Sequence, residues 1–360
     1  MERILNSVMP SITRWFPGLI RMVAFRGPVP EQVRLLDLVT GYWTSQAISV
    51  GATIGLFDRI RSGQNIDELA HELKAQPDAL ERLVRALSGA GILRTDSSGK
   101  LTLTKLGALL TRDHPASLRA IAIACGQEWY RAWGELQHSV ATGQSGFEKV
   151  YGRRFFDYIR EHDAVRATFD EGMRGVSSMT DVPVAVAYDF SRFRHVTDIG
   201  GGTGSQLITV LRMNTRITGR VFDLPAVVDA AQKGVRAEPE VVQRLSFTAG
   251  DFMAGIPPGS DAYFMKSVLH DWSDEEAVKI LRNCQAQMRP GSRLLIAEHV
   301  IQPGNVPQFG KFLDLMMLVN LGGKERTCDQ YGRLLQQAGL RLTGEFPTLA
   351  QMTVLEAVPV

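Results

Sequence analysis

The feature that most constrains the fold is a strand-like run followed at once by a cluster of glycines. His195–Ile199 has strand composition, the next residues read G-G-G-T-G from Gly200, and helical spacing follows at 206–211. Strand, glycine turn and helix bring backbone N–H groups and a helix N-terminus up to a nucleotide-like ligand. Glycine also allows close approach of the chain and positive φ at little steric cost. A second apolar run, 219–222, ends in Asp223, where a carboxylate can hold ribose hydroxyls.

The spacing of these glycines indicates which kind of nucleotide fits. A dinucleotide fingerprint requires G-x-G-x-x-G, and the last glycine position of that pattern is Ser205 here. Glycines bunched behind Asp198 resemble instead the S-adenosylmethionine (SAM) loop of class I methyltransferases, whose ligand lacks a pyrophosphate. A mere tight turn is the alternative, and Asp223, Asp251 and Lys266 downstream argue against it.

Composition limits the remaining classes. A chain of 360 residues suggests two or three domains, and 44% apolar with 22% charged residues is typical of a soluble globular protein. A net charge of +2 gives no reason to expect nucleic acid as a partner. Cys125, Cys284 and Cys328 lie far apart, which suits a reducing cytoplasm and favours neither disulfides nor a zinc site.

Residues 1–29 form an arm that is apolar but repeatedly interrupted by arginine and proline. We therefore expect neither a membrane span nor a signal peptide there. Packing on a partner subunit is the favoured role of this arm. Membrane-surface adhesion and disorder are the alternatives.

Residues 30–114 predict a mostly helical winged-helix domain. The run 30–60 is apolar on most faces, so its helix should be buried against more than one neighbour. Helices at 66–73 and 80–90 and a hairpin around 96–99 complete the pattern. A DNA-binding regulator is the competing interpretation, but the second helix mixes acids and arginines without a basic stripe. We therefore expect a subunit interface and a homodimer.

Residues 115–181 read as a helical connector rich in aromatic residues, some of which should line a substrate pocket. Helical spacing places Met173 and Ser177 on one face, one turn apart.

From 182 to 360 the pattern alternates strands and helices. Predicted strands are His195–Ile199, 220–223, 245–248, Ala262–Lys266, Arg293–Glu298, 340–345 and 353–358, and predicted helices include 225–235, 274–288 and 328–338. This alternation predicts a doubly wound parallel sheet, and the short last connection makes the final two strands antiparallel. Asp223, Asp251, His270 and Glu298 then fall beyond the carboxyl ends of strands, where ligands bind.

Six motifs carry a resemblance to a known family. They are D-I-G-G-G-T-G from Asp198, F-D-L-P from Phe222, G-D-F from Gly250, F-M-K-S-V-L-H-D-W-S-D from Phe264, A-E from Ala297 and G-G-K-E-R-T from Gly322. In this order they resemble the small-molecule O-methyltransferases, the family of caffeic acid, acetylserotonin and bacterial antibiotic-tailoring enzymes, over nearly the whole chain. The resemblance implies an α/β class I methyltransferase fold behind a winged-helix dimerisation domain. It also implies SAM as cofactor, S-adenosylhomocysteine (SAH) as product, and an aromatic or polyketide-type hydroxyl as acceptor.

The resemblance also implies residue roles. His270 would deprotonate the acceptor, with Glu298 and Glu325 flanking it. The implied SAM contacts are Ser177, Asp198, Gly200, Gly202, Asp223, Leu224, Asp251, Phe252, Lys266 and Trp272, the last beside the adenine. The implied substrate contacts are Met173, Asp271, Met316 and Asn320. Structural alternatives are a solvated loop histidine at 270, a surface or capping acid at 298, an ion pair at 325, a lysine stem along the sheet edge at 266, and core methionines.

Deprotonation of a phenol by His270 is also consistent with ordinary pKa values, independently of the family resemblance. A phenol has a pKa of about 10 and histidine about 6.5, so a neutral imidazole can take the phenolic proton during methyl transfer. Such help contributes roughly 10²–10⁴-fold, and an acid on the other ring nitrogen, either Glu298 or Glu325, would fix the tautomer. No metal is expected, because SAM is already activated. A set of His270, Asp271 and His299 is the metal alternative, although strand alternation should turn His299 away from Glu298.

The same fold leaves other functions open. C-methylation and SAM-dependent hydroxylation or decarboxylation are the first alternatives. A non-catalytic SAM-binding protein and a DNA-binding regulator are the lesser ones.

Overall fold

A computed structural model describes residues 30–60 and 64–360, and the chain divides into two compact units after Gln127. The predicted interface role of residues 1–29 lies outside the described residues. Residues 115–127 belong to the first unit and 128–181 to the second. Among the described residues, no helix combines the length and apolar character that a membrane crossing requires.

The first unit is a winged helix, as predicted. Its helices are α1 (Glu31–Thr53), α2 (Leu56–Arg59), α3 (Ile66–Leu73), α4 (Pro77–Gly89), α5 (Lys105–Ala108) and α6 (Arg119–Ala124), and its hairpin pairs β1 (Leu93–Thr95) with β2 (Leu101–Leu103). A capping box between Asn65 and Glu68 begins α3, and Pro77 at the first helical position begins α4. Leu69, Leu80, Leu87 and Leu101 meet in its core.

Helix α1 packs against more than one neighbouring helix, as predicted, but only near its C-terminal end. Its buried residues are Ser49, Gly51 and Ala52, near its C-terminal end. Apolar residues of its first turns stay exposed: Leu35, Leu36, Leu38, Val39, Tyr42 and Trp43. Only the last part of α1 reaches the core of its own unit, because α2, α4 and α6 pack there.

The second unit begins with five helices and continues as an α/β domain. Its helices are α7 (Glu128–Trp133), α8 (Leu136–Thr142), α9 (Gly146–Tyr151), α10 (Phe155–Glu161), α11 (Asp163–Ala187), α12 (Ser205–Met213), α13 (Pro225–Gly234), α14 (Pro239–Val242), α15 (Asp274–Gln285), α16 (Phe309–Asn320) and α17 (Cys328–Gln337). Short 3₁₀ turns lie at Phe190–Arg192 and Leu269–Asp271.

One mixed sheet of seven strands organises this domain. The strands are β3 (His195–Ile199), β4 (Thr218–Asp223), β5 (Leu245–Ala249), β6 (Ala262–Lys266), β7 (Arg293–Glu298), β8 (Leu340–Pro347) and β9 (Thr353–Pro359). Their order is β5-β4-β3-β6-β7-β9-β8, and β9 runs antiparallel to both of its neighbours. The predicted strands are therefore confirmed, with ends that differ by two residues or fewer.

Strand β6 shows how the sheet is covered on both faces. Tyr263 and Met265 pack in one apolar cluster with residues of α15 and α17. Ala262 and Phe264, alternating with them, pack in another cluster with residues of α11 and α12. The sheet is thus doubly wound. Strand order reverses between β3 and β6, and this architecture binds ligands at the carboxyl ends of the strands at such a reversal.

Candidate active site

The loop after β3 requires its glycines. Gly200, Gly202 and Gly204 all have positive φ, at 68°, 56° and 78°. A Cβ on Gly200 would lie 2.9 Å from Cγ2 of Val268, so the loop also approaches the segment after β6 too closely for a side chain. Helix α12 begins directly after Gly204.

Asp223 ties this loop to β4. Its Oδ2 accepts the backbone N–H of Gly202 at 2.9 Å, and its Oδ1 accepts that of Leu224 at 2.7 Å. Burial raises the pKa of Asp223, while these two hydrogen bonds oppose the rise. Each carboxylate oxygen has a second lone pair, so Asp223 can still accept a ligand hydroxyl.

Asp198, at the carboxyl end of β3, is a buried acid with an unused oxygen. The side chain is 2% exposed, and Oδ2 has no hydrogen-bond partner among the described residues. Burial raises its pKa to about 8, with the charge of Lys266 opposing and those of Asp181 and Asp223 adding to the rise. A nearby cation would favour the ionised form of this acid, so its unpartnered oxygen suits a cationic ligand group.

Lys266 reaches α11 in this structure. Its Nζ donates to Thr180 Oγ1 at 3.2 Å and to the carboxylate of Asp181. Gln206, on the first turn of α12, donates to the Asp181 carbonyl at 3.1 Å, and its own Oε1 has no partner within the described chain. Sequence reasoning missed Gln206. Its position two residues after the last glycine of the loop was the available signal.

The remaining predicted cofactor residues differ in exposure and contacts. Asp251 is exposed and accepts the Met253 N–H at 2.8 Å. The ring of Trp272 stacks on Phe156 at 6.1 Å and meets Phe252 edge-on at 5.8 Å. Leu224 is exposed and Ser177 half-buried. One face of the predicted adenine neighbour Trp272 therefore packs against Phe156 of α10.

His270 sits in the 3₁₀ turn after β6 and is almost fully buried. Its Nδ1 lies 2.7 Å from Glu325 Oε1 and 3.6 Å from Glu298 Oε2, so Glu325 makes the hydrogen bond. An ionised carboxylate only accepts, so Nδ1 carries the hydrogen and donates it to Glu325. Nε2 is left as the free ring nitrogen, 3.4 Å from Asp271 Oδ1.

Glu298 instead holds the turn that carries His270. It is the last residue of β7, fully buried, and its Oε1 accepts the N–H groups of Val268 at 3.1 Å and Leu269 at 2.9 Å. The other oxygen of Glu298 and one oxygen of Glu325 have no partner among the described residues. Two buried glutamates thus face one imidazole, and each has an oxygen that can accept a further hydrogen bond.

These groups shift each other's pKa values. Burial alone lowers the pKa of His270, but Glu298, Glu325 and Asp271 outweigh it, and the result lies well above the ordinary value. Burial raises the pKa of Glu298 to about 7 and that of Asp271 to about 6, and the His270 charge opposes both rises. Protons in such a cluster belong to the group as a whole.

The predicted substrate residues lie on two helices and on the His270 turn. Met173 is half-buried on α11, one helical turn before the predicted cofactor residue Ser177. On α16, Met316 is half-buried and Asn320, one turn later, is buried. Asn320 Nδ2 lies 3.3 Å from Met316 Sδ, whereas its Oδ1 has no partner within the described chain. Asp271, next to Nε2 of His270, is the predicted substrate residue that the contacts bring to the catalytic cluster.

The same cluster has the composition of a metal site. His270, Glu298 and Glu325 offer ligand atoms within 4.8 Å of one another. His299, considered from the sequence, is not part of this set, and its ring contacts other residues: its Nδ1 lies 3.2 Å from the Gln351 carbonyl and its ring meets Phe309 at 5.7 Å. The expected absence of a metal stays a prediction, which metal analysis of the purified protein tests.

Comparisons with known proteins agree with this architecture. Residues 133–341 match the family of O-methyltransferase domains, and residues 36–113 match the O-methyltransferase dimerisation domain. Phenazine O-methyltransferase PhzM of Lysobacter antibioticus is 38% identical over 335 residues, covering 93% of this chain and 98% of its own.

Two further relatives bear on cofactor and chemistry. The O-methyltransferase NcsB1 from neocarzinostatin biosynthesis, solved with SAH and 1,4-dihydroxy-2-naphthoic acid, superposes with a TM-score of 0.76 at 31% identity, over 88% of this chain and 96% of its own. Aclacinomycin 10-hydroxylase RdmB of Streptomyces purpurascens is 33% identical over 317 residues, covering 84% of this chain and 82% of its own. Since the family match spans more than half of the sequence, this chain belongs to the SAM-dependent O-methyltransferases that carry an N-terminal dimerisation domain.

Proposed function

We propose that this enzyme methylates a hydroxyl group of an aromatic small molecule, with His270 as the general base. The hydrogen bond of 2.7 Å between His270 Nδ1 and Glu325 carries the proposal, because it leaves Nε2 free to accept a proton. Names of relatives support the aromatic class: PhzM is a phenazine O-methyltransferase, and NcsB1 was solved with a dihydroxynaphthoic acid.

The cofactor would be held by the residues around the glycine loop. We assign its binding to Ser177, Asp198, Gly200, Gly202, Asp223, Leu224, Asp251, Phe252, Lys266 and Trp272. When bound, SAM supplies an electrophilic methyl group on a positively charged sulfur. Asp198 supports this assignment, because a buried carboxylate oxygen without a partner calls for a cation.

The residues of the cluster divide the work of proton removal. His270 takes the acceptor's proton at Nε2, and Glu325 stabilises the imidazolium through Nδ1. Glu298 keeps the turn in place through the N–H groups of Val268 and Leu269. The carboxylates of Glu298, Glu325 and Asp271 raise the pKa of His270, which favours the imidazolium form in the free enzyme. A second positive charge nearby lowers that pKa and favours the neutral base.

The acceptor would lie between α11, α16 and the His270 turn. We assign its contacts to Met173, Asp271, Met316 and Asn320. The unpartnered Oδ1 of buried Asn320 supports a polar contact to the acceptor, and the two methionines supply adaptable apolar walls.

We also infer a homodimer in which a second copy covers α1. Its exposed apolar residues and the match to a dimerisation domain support this assembly. Residues 30–114 would then form the dimerisation domain, 115–181 the connector and 182–360 the SAM-binding domain. Three free cysteines are consistent with a cytoplasmic enzyme, and the winged helix would serve assembly and not nucleic-acid binding.

Incubation with methyl-labelled SAM and a panel of phenols, naphthols and hydroxyphenazines tests the function. We expect labelled methyl ethers, and we expect His270→Gln to lower kcat by roughly 10²–10⁴-fold while SAM affinity is retained. His195→Gln is the matched control, since that ring lies at the first residue of β3 and contacts Thr218. Undiminished transfer in His270→Gln would remove the base assignment.

SAM-dependent hydroxylation is the second candidate, favoured by the 33% identity to a protein named as a hydroxylase. The product distinguishes the two functions. Gain of a labelled methyl group supports methylation, whereas gain of one oxygen without label supports hydroxylation.

A further inference from the structure

Arg326 is a fully buried arginine in the connection between α16 and α17. Arginine is almost never fully buried unless its charge is paired and its donors are satisfied. The sequence pattern assigns no role to Arg326, although this residue directly follows Glu325 in the G-G-K-E-R-T motif.

The guanidinium of Arg326 bridges the two ends of the turn that carries His270. One terminal nitrogen donates to the Leu269 carbonyl at 2.9 Å, and the other donates to the Trp272 carbonyl at 2.8 Å. Leu269 begins the 3₁₀ turn and Trp272 follows its last residue. A planar, forked donor is suited to holding two carbonyls at a set separation.

The remaining donors of Arg326 tie it to its surroundings. Nε donates to Asp274 Oδ1 at 2.9 Å, on the first residue of α15. The first terminal nitrogen also donates to the Lys324 carbonyl at 3.2 Å, while the Lys324 N–H donates to the His270 carbonyl at 2.9 Å. The segment with Glu325 and the turn with His270 are therefore joined on both sides of the His270–Glu325 hydrogen bond.

The charge of Arg326 and the charges of Glu298 and Glu325 act on the same residue, Tyr331. Burial, Glu298 and Glu325 raise the pKa of the fully buried Tyr331 well above its ordinary value, and Arg326 opposes that rise. A buried cation near two buried carboxylates offsets part of their mutual repulsion.

We infer that Arg326 is a positioning residue of the methyl-transfer site, which clamps both ends of the His270 turn and so holds Nδ1 on Glu325 and presents Nε2 to the acceptor. The inference rests on the proposed role of His270 as the general base. The Arg326 side chain donates to the backbone of the turn and of Lys324 and to the carboxylate of Asp274.

Arg326→Lys keeps the charge but loses the fork. We expect kcat to fall on the order of 10- to 100-fold, because small displacements of a catalytic group have effects of that size, while the KM for the acceptor changes by less than about threefold. We also expect the far-downfield proton resonance of His270 Nδ1–H, assigned by its loss in His270→Gln, to shift or broaden.

Arg244→Lys is the matched control. Arg244 donates to the carbonyls of Leu211, Asn214 and Ile217 at 2.8–2.9 Å, on the α12–β4 connection. Its variant should lower the melting temperature and leave both kcat and the His270 resonance unchanged. An equal loss of kcat in the two variants at matched stability, or an unchanged resonance in Arg326→Lys, would overturn the inference.

The His270 resonance can be measured without an acceptor, so it tests this inference independently of the proposed function. If no phenol is methylated but the resonance moves only in Arg326→Lys, the positioning role of Arg326 is supported and the proposed methylation activity is contradicted. Should Arg326→Lys not fold, Asp274→Asn loosens the guanidinium from the opposite side. It should then move the resonance in the same direction by a smaller amount, and an unmoved resonance would count against the clamp.

Discussion

Gly323 packs directly on the His270 carbonyl, where a Cβ would lie only 2.0 Å from the oxygen. The same oxygen accepts the Lys324 N–H at 2.9 Å. The loop after α16 and the turn after β6 are therefore in backbone contact, and the position of His270 depends on the absence of a side chain more than 50 residues away.

Gly323→Ala should displace the His270 turn. We expect kcat to fall on the order of 10- to 100-fold, with a loss of about 1–3 kcal/mol in the free energy of unfolding from overpacking. Gly332→Ala, inside α17 with nothing within 4 Å of its added Cβ, is the control. This control should raise the free energy of unfolding by about 0.5–1 kcal/mol and keep full activity. Steady-state kinetics and urea unfolding measure both, and full activity in Gly323→Ala would show that the turn tolerates displacement.

Glu325→Gln should change the pH dependence of the reaction. Glu325 raises the pKa of His270, so a neutral glutamine lowers that pKa and the base becomes available at lower pH. We expect the acidic limb of the kcat/KM profile to move to lower pH, with a lower plateau because the imidazolium loses its charged partner. A limb that moves to higher pH would contradict the assigned contact.

Asp198→Asn should remove a pH dependence of the free energy of unfolding. The folded pKa of Asp198 is about 8, against about 3.8 in the unfolded chain, so the folded state holds the proton more tightly between these values. Its contribution to stability is complete below the unfolded pKa and is lost as pH rises toward 8, at roughly 1.4 kcal/mol per pH unit.

The variant lacks this contribution, so its stability without SAM relative to the wild type should improve from pH 5 to pH 8. Urea unfolding across that range measures the difference. Glu298 and His270 titrate with the same sign in both proteins and cancel in the comparison. Parallel pH curves for the two proteins would mean that Asp198 is already ionised in the folded state.

Asn320→Leu tests the proposed contact to the acceptor. The amide oxygen of this buried side chain has no partner in the described chain, so an apolar replacement should leave the free energy of unfolding unchanged or raised. Loss of one hydrogen bond to the acceptor should lower kcat/KM by roughly 5- to 150-fold, at an unchanged Kd for SAM. Full kcat/KM in this variant would place Asn320 outside the acceptor site.

Much of the α/β domain could be predicted from local pattern. His195–Ile199, Ala262–Lys266 and Arg293–Glu298 are strands with the predicted bounds, because apolar runs between turn residues specify buried strands locally. The bunched glycines predicted the loop after β3 for the same reason, since positive φ is a property of single residues. His270, Glu298 and Glu325 could be selected as candidates because each stands in a recognisable motif beside a predicted strand or turn.

Tertiary structure alone decided how those candidates act. It put Glu325 on Nδ1 and Glu298 on the backbone of the turn, and it paired Lys266 with Asp181 and Thr180. It also left the apolar start of α1 exposed and buried Arg326 against the His270 turn. These outcomes join segments 30 to 86 residues apart. Periodicity and motif spacing describe neighbours along the chain, whereas partners across the sheet are chosen by the packing of the whole domain.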